Sequence, residues 1–160
     1  MYRRMIPAVL VVLIATALAG CSAVFGEPPT FEGQIQKFDG ALVKYDNGIS
    51  LYYKGDYAQA RQEFSDASKT FKDCEAAYEE IMKQDVTGLE RKISENMAGC
   101  SLQYAYTAAY MRDAAAAAVE GDMGRADLMK DTAREYEMVA RQGYEANKAA
   151  IEEMRSNAPR

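Results

Sequence analysis

The sequence predicts an all-α protein built from four long antiparallel helices in consecutive hairpins. Three observations carry this expectation. Apolar residues recur at alternating steps of three and four along most of the stretch from Phe31 to Asn157, the period of a helix with one buried stripe. Gly55, Gly88 and Gly121 interrupt the pattern at intervals of 33 residues, each beside a residue able to cap the next helix: Asp56, Thr87 and Asp122. No stretch alternates strictly between apolar and polar residues as a half-buried strand would.

The first twenty residues stand outside this pattern. Arg3 and Arg4 precede an apolar run from Ile6 to Leu18, and the small pair Ala19 and Gly20 comes just before Cys21. The run is shorter than the roughly 20 apolar residues that span a bilayer, and its cations lie only in front, as in an export signal. Residues 1–20 therefore read as a removable signal peptide, residues 21–30 as a tether carrying Cys21, and residues 31–160 as one helical domain. Gly26, Pro28 and Pro29 suit a short, partly stiff tether, which spans roughly 30 Å when extended.

Leu18-Ala19-Gly20-Cys21 resembles the lipobox of bacterial lipoproteins. The resemblance implies that the Cys21 thiol receives a diacylglycerol, that the chain is cut before it, and that the new amino terminus is acylated. Small residues at 19 and 20 let a peptidase approach the backbone, and a nucleophilic sulfur is needed to form the thioether. Several acyl chains, at about 0.8 kcal/mol per buried methylene, make such an anchor persistent. The other reading is an ordinary signal with an incidental cysteine. Ser22 stands where an aspartate holds lipoproteins of enteric bacteria at the inner membrane, so the resemblance implies the outer membrane, facing the periplasm. That rule differs between bacterial lineages.

The helices follow in order. Ile35, Phe38, Leu42, Tyr45, Ile49 and Tyr52 mark the stripe of the first. The second restarts at Tyr57 and runs through Phe64, Phe71, Cys74 and Tyr78 to Ile81. The third carries Ile93, Met97, Cys100, Tyr104 and Met111, and the fourth Ala126, Met129, Ala133, Tyr136, Ala140 and Ile151. Thr87 with Glu90 three residues later forms a capping-box pattern, and Pro159 closes the last helix.

The stretch GISLYYKGDYAQARQEFSDA resembles a tetratricopeptide repeat. Gly48 is the small residue of its first helix, and Leu51 lies near that helix's end. Gly55, Asp56 and Tyr57 make the turn, and Ala60, Phe64 and Ala67 follow on the second helix. Small residues at 48 and 60 let the two helices approach, while Tyr57 and Phe64 fill the gaps beside them. A fainter echo around Gly121 keeps Asp122, Ala126 and Ala133 but has Lys130 in place of the aromatic. The middle unit departs, with Ile81 and Ile93 where the repeat takes small residues. A period of 33 is close to the 34 of that family, which leaves an alternative of three repeats with extra turns near Lys72 and Ala105. Neither place has Gly or Pro, so four unbroken helices are the expectation.

Cys74 and Cys100 lie thirteen residues either side of Thr87. A hairpin turning there sets them level on facing stripes. In an oxidising periplasm this predicts a disulfide closing a loop of about 26 residues, stabilising by roughly 3 kcal/mol in the chain-entropy model. The alternative is two buried, reduced cysteines.

Composition bounds function mainly by exclusion. The chain has 24 acidic and 19 basic residues, two of the latter being Arg3 and Arg4 of the leader. The exported part is thus more acidic than the whole chain's net charge of −5, and nucleic acid and anionic lipid headgroups would be repelled. There is no histidine, which removes Ser-His and Cys-His nucleophile pairs and most zinc sites. No glycine-rich phosphate loop or calcium-loop spacing occurs. The expectation is a protein that is not an enzyme and has no metal and no cofactor. Glu79, Glu80, Glu152 and Glu153 have basic neighbours, as on a solvated face, and a glycosidase-like carboxylate pair acting on cell-wall glycan is the weakest reading.

Three tyrosines are candidates for binding a protein partner. Tyr106 and Tyr110 lie beside the main stripe of the third helix, and Tyr53 lies off the stripe of the first. Tyrosine supplies large contact area with a polar tip, although packing between neighbouring helices explains such residues as well. The expected function is a lipid-anchored adaptor, by the tetratricopeptide family's role as an interaction scaffold. A self-associating structural envelope lipoprotein is the alternative.

Overall fold

The computed structural model describes residues 28–157. Residues 1–20, expected to be a signal peptide, lie outside the described residues, as do Cys21 and Pro159. Four helices account for nearly all the rest: α1 (Phe31–Lys54), α2 (Tyr57–Met82), α3 (Gly88–Val119) and α4 (Met123–Asn157). At 1.5 Å per residue they rise from about 36 Å to about 52 Å in length. The helices run unbroken through Lys72 and Ala105. The four-helix expectation therefore holds and the three-repeat alternative does not. No residue at either place breaks a helix, and the Ser68 hydroxyl instead ties the two helices by donating to the Ala105 carbonyl at 2.9 Å.

The glycines of the even 33-residue spacing do two different jobs. Gly55 and Gly121 have φ of 84° and 80°, the left-handed conformation that ends helices. After each, the aspartate N–H reaches back five residues, Asp56 to Leu51 at 3.0 Å and Asp122 to Ala117 at 2.9 Å. Gly88 begins a helix rather than ending one. The chain turns over Lys83–Thr87, and the Thr87–Glu90 capping box starts α3. Nor do the aspartates act alike. The Asp122 carboxylate accepts from the Arg125 N–H at 3.0 Å, whereas Asp56, expected to cap α2, makes no side-chain capping bond.

Each helix packs on the next. The core is aromatic at its centre, where the Phe38 ring of α1 meets Phe71 of α2 at 5.2 Å, Tyr104 of α3 at 5.7 Å and Tyr144 of α4 at 5.2 Å. Tyr45 packs on Phe64 and Tyr104. Toward the Gly121 turn the α3–α4 seam narrows to alanine: Ala117, Ala118 and Ala126 are buried together.

The first hairpin is keyed by Gly48. A Cβ placed there would stand 2.7 Å from the Phe64 ring, and Phe64, Ala60 and Ala67 are fully buried. Leu51 and Tyr57 are half-buried against the same core. Gly48→Ala is expected to destabilise by about 1–3 kcal/mol despite alanine's better helix propensity, because the enclosed ring has no room to yield. Gly40→Ala, on the same helix with nothing within 4 Å, should stabilise by roughly 0.5–1 kcal/mol. Thermal melts of the two variants check this. The same sign for both would remove the interlock.

Candidate partner-binding site

The seam between α1 and α4 differs from the other three. Here the backbones scarcely approach and long polar side chains bridge the gap. On α1, Glu32, Asp39, Asp46 and Tyr53 recur every seven residues. On α4, so do Arg134, Arg141, Lys148 and Arg155. A seven-residue step drifts only about 20° around a straight helix, so each set forms a stripe. Running antiparallel, they meet as acid against base. Arg155 pairs with Glu32 at 3.0 Å and with Asp39 at 3.8 Å, and its hydrogen bond holds Glu32 below the usual carboxylate range. Burial pushes Asp46 up, while Arg141 opposes that shift.

Two tyrosines brace the seam from within. Tyr45 donates its hydroxyl to Glu137 at 3.1 Å, and Tyr144 donates to Asp39 at 3.1 Å. Burial first, and then the charge of Asp39, pushes the Tyr144 phenol up to about 12. Glu137 also receives Arg141, so its carboxylate is fully engaged.

Tyr53 caps the stripe of α1. It is 73% exposed, lies edge-on to Tyr52, and lines a cleft of about 320 Å³ between α1 and α4. Tyr45, Ile49, Met111 and Ala133 also line that cleft, with Lys130 and Arg134 on its α4 side. Asp127 holds Lys130 at 2.6 Å.

Tyr106 and Tyr110 sit elsewhere. Both lean on Tyr136 of α4, Tyr110 stacked on it and Tyr106 tilted, with centroids 5.5 Å away in each case. Tyr106 is 41% exposed and Tyr110 is half-buried. Tyr136, expected only as a core residue, is the partner that sequence reasoning missed. Past this trio an outer groove between α3 and α4 passes Gly99, Gln103, Val139 and Gly143. The three candidate tyrosines thus lie on opposite flanks of α4 and do not make one surface.

The expected Cys74–Cys100 bridge is not formed in this structure. Cys74 and Cys100 are buried free thiols. The antiparallel hairpin does set them at one height, but height does not fix direction. The Cys74 thiol lies in the field of Lys37 on α1, while the Cys100 sulfur presses toward Gly143 on α4, 2.6 Å from where a Cβ would sit. Burial pushes both thiols up to about 11, the state of inert packing groups rather than nucleophiles.

Glu79, Glu80, Glu152 and Glu153 are all exposed, and Glu80 is paired with Lys83 at 2.6 Å. Among the described residues no group of three or more His, Cys, Asp or Glu could hold a metal ion, and no helix is long and apolar enough to cross a membrane. No family model, curated protein or solved structure matches the chain.

Proposed function

We propose that this protein is a non-catalytic scaffold, anchored in the bacterial cell envelope through a lipid on Cys21, that holds a protein partner near the membrane. The leader and lipobox-like residues support the anchor, and Ser22 favours the outer membrane on its periplasmic side. The folded part supports a scaffold through one observation above the others. Aromatic and apolar side chains stay open to solvent beside a rigid helical core, with Tyr53 on one flank of α4 and Tyr106 with Val139 on the other. Such anchors carry most of the energy in protein interfaces.

Replacing both Tyr106 and Tyr110 with alanine is expected to weaken retention of the partner in detergent-solubilised envelopes at least tenfold, while the melting temperature falls by only a few degrees. Tyr106 is the more exposed of the pair and stands outside the core, while Tyr110 packs only against the edge of it. Losses of fold and of binding in parallel would mean that these tyrosines are packing residues alone.

A further inference from the structure

The geometry points to a carboxylate site at the open end of the α1–α4 seam, where Arg134 meets an acidic side chain presented by an amphipathic helix of the partner. This rests on the scaffold reading and adds to it the chemistry of what is held. The argument begins with register. Arg155 lies against Glu32, one heptad further along Lys148 comes to the level of Asp39, and two heptads along Arg141 lies in the field of Asp46. The next step sets Arg134 against position 53, and there the acidic series ends in tyrosine. Among the described residues neither Lys148 nor Arg134 takes part in an ion pair. Across the seam Lys148 has Asp39 at its level, whereas Arg134 has an uncharged phenol, with Asp131 one turn back on its own helix.

The same place is where the seam opens into the cleft of about 320 Å³, room for one or two side chains. Ile49 gives it an apolar patch above the buried Met111 and Ala133, and the Tyr53 ring adds an aromatic edge. The other charges there are largely spent. Tyr45 and Arg141 hold Glu137, and Asp127 holds Lys130. Asp131 lies on the exposed rim and forms no ion pair. A glutamate with a leucine one turn away on the same helix fits this arrangement, its carboxylate forking onto the guanidinium and its apolar neighbour entering the cleft. The occupant repeats what α1 does along the rest of the seam.

The test uses the soluble chain from residue 22 and a fluorescein-labelled helical peptide with glutamates one heptad apart, each with a leucine one turn away. A counterpart carries glutamine for every glutamate. The acidic peptide should bind at least tenfold more tightly in fluorescence anisotropy. Arg134→Ala should abolish that preference with no change in melting temperature. Tyr53→Glu supplies the missing acid within the chain, so it should also abolish the preference and raise the melting temperature by about 1–3 °C. Val43→Ala, exposed on α1 and outside the cleft lining, should leave the preference intact. Equal binding of the two peptides, binding of neither, or a preference that survives Arg134→Ala overturns the site. The scaffold reading fails separately, if envelopes yield no foreign partner through Tyr106 either.

Discussion

Phe38→Ala is expected to lower stability by about 3–5 kcal/mol and the melting temperature by roughly 10–20 °C. The reason lies in how the bundle closes. Phe38 is fully buried and, among the described residues, is the one ring that touches aromatic partners on all three other helices: Phe71, Tyr104 and Tyr144. Truncation removes the transfer free energy of the ring and leaves a cavity bounded by stiff aromatic neighbours, which cannot collapse into it. The α1–α4 seam should feel this most, since Phe38 and the polar zipper are what join those helices. Val43→Ala on the same helix is the control. Val43 is 60% exposed, and its change should stay within about 0.5 kcal/mol. Chemical denaturation of the two variants checks the contrast. A loss below 1 kcal/mol for Phe38→Ala would mean that the four helices do not share one centre.

Alkaline pH should unfold the protein before it unfolds most helical domains. Burial pushes Cys74 and Cys100 from about 9 up to about 11, and Tyr104 and Tyr144 from about 10 up to about 12. Tyr45 and Tyr78 are pushed up as well, again mainly by burial. The sign follows from proton counting. Below pH 9 both states keep these protons, so the burial of neutral groups contributes its full stabilisation. Above pH 9 the unfolded chain releases thiol protons that the folded chain retains, and from pH 10 it releases phenol protons too. Stability therefore falls as pH rises toward the folded-state values. Each thiol alone accounts for about 2 kcal/mol lost by pH 10.5. Urea midpoints at pH 7.5 and pH 10.5 should differ accordingly, and tyrosinate absorbance should grow in step with the loss of helix. An unchanged midpoint would show that these groups ionise without leaving the core.

The helices were legible because each buries a single stripe. Phe38, Phe64, Phe71 and Tyr104 declare themselves by steps of three and four, and the Gly48–Phe64 contact follows from a small residue facing a large one across a hairpin. What stayed illegible concerns direction around the helix axis and pairing between distant helices. Cys74 and Cys100 could be set at one height from the turn between them, but which neighbour each sulfur faces depends on where α1 and α4 pack. Gly88 looked like Gly55 because both punctuate the pattern, yet one starts a helix and the other ends one, a difference carried by φ. The acidic series Glu32, Asp39, Asp46 and the basic series Arg134, Arg141, Lys148, Arg155 stand in the sequence at plain seven-residue spacing. They gain meaning only once α1 and α4 are known to be antiparallel neighbours in one register. Tyr136 was hidden for the same reason, since its apolar spacing fits the core and its role as a support for Tyr106 and Tyr110 is a matter of packing.

The most direct test of the scaffold account is cross-linking of the full-length chain in native envelopes from photoreactive residues at positions 53 and 106, with mass spectrometry of the adducts and of the amino terminus. The account predicts an acylated Cys21 at the new amino terminus and one recurrent foreign protein captured from at least one of the two positions. An unmodified Cys21, or adducts only with a second copy of the chain or with nothing, would contradict it.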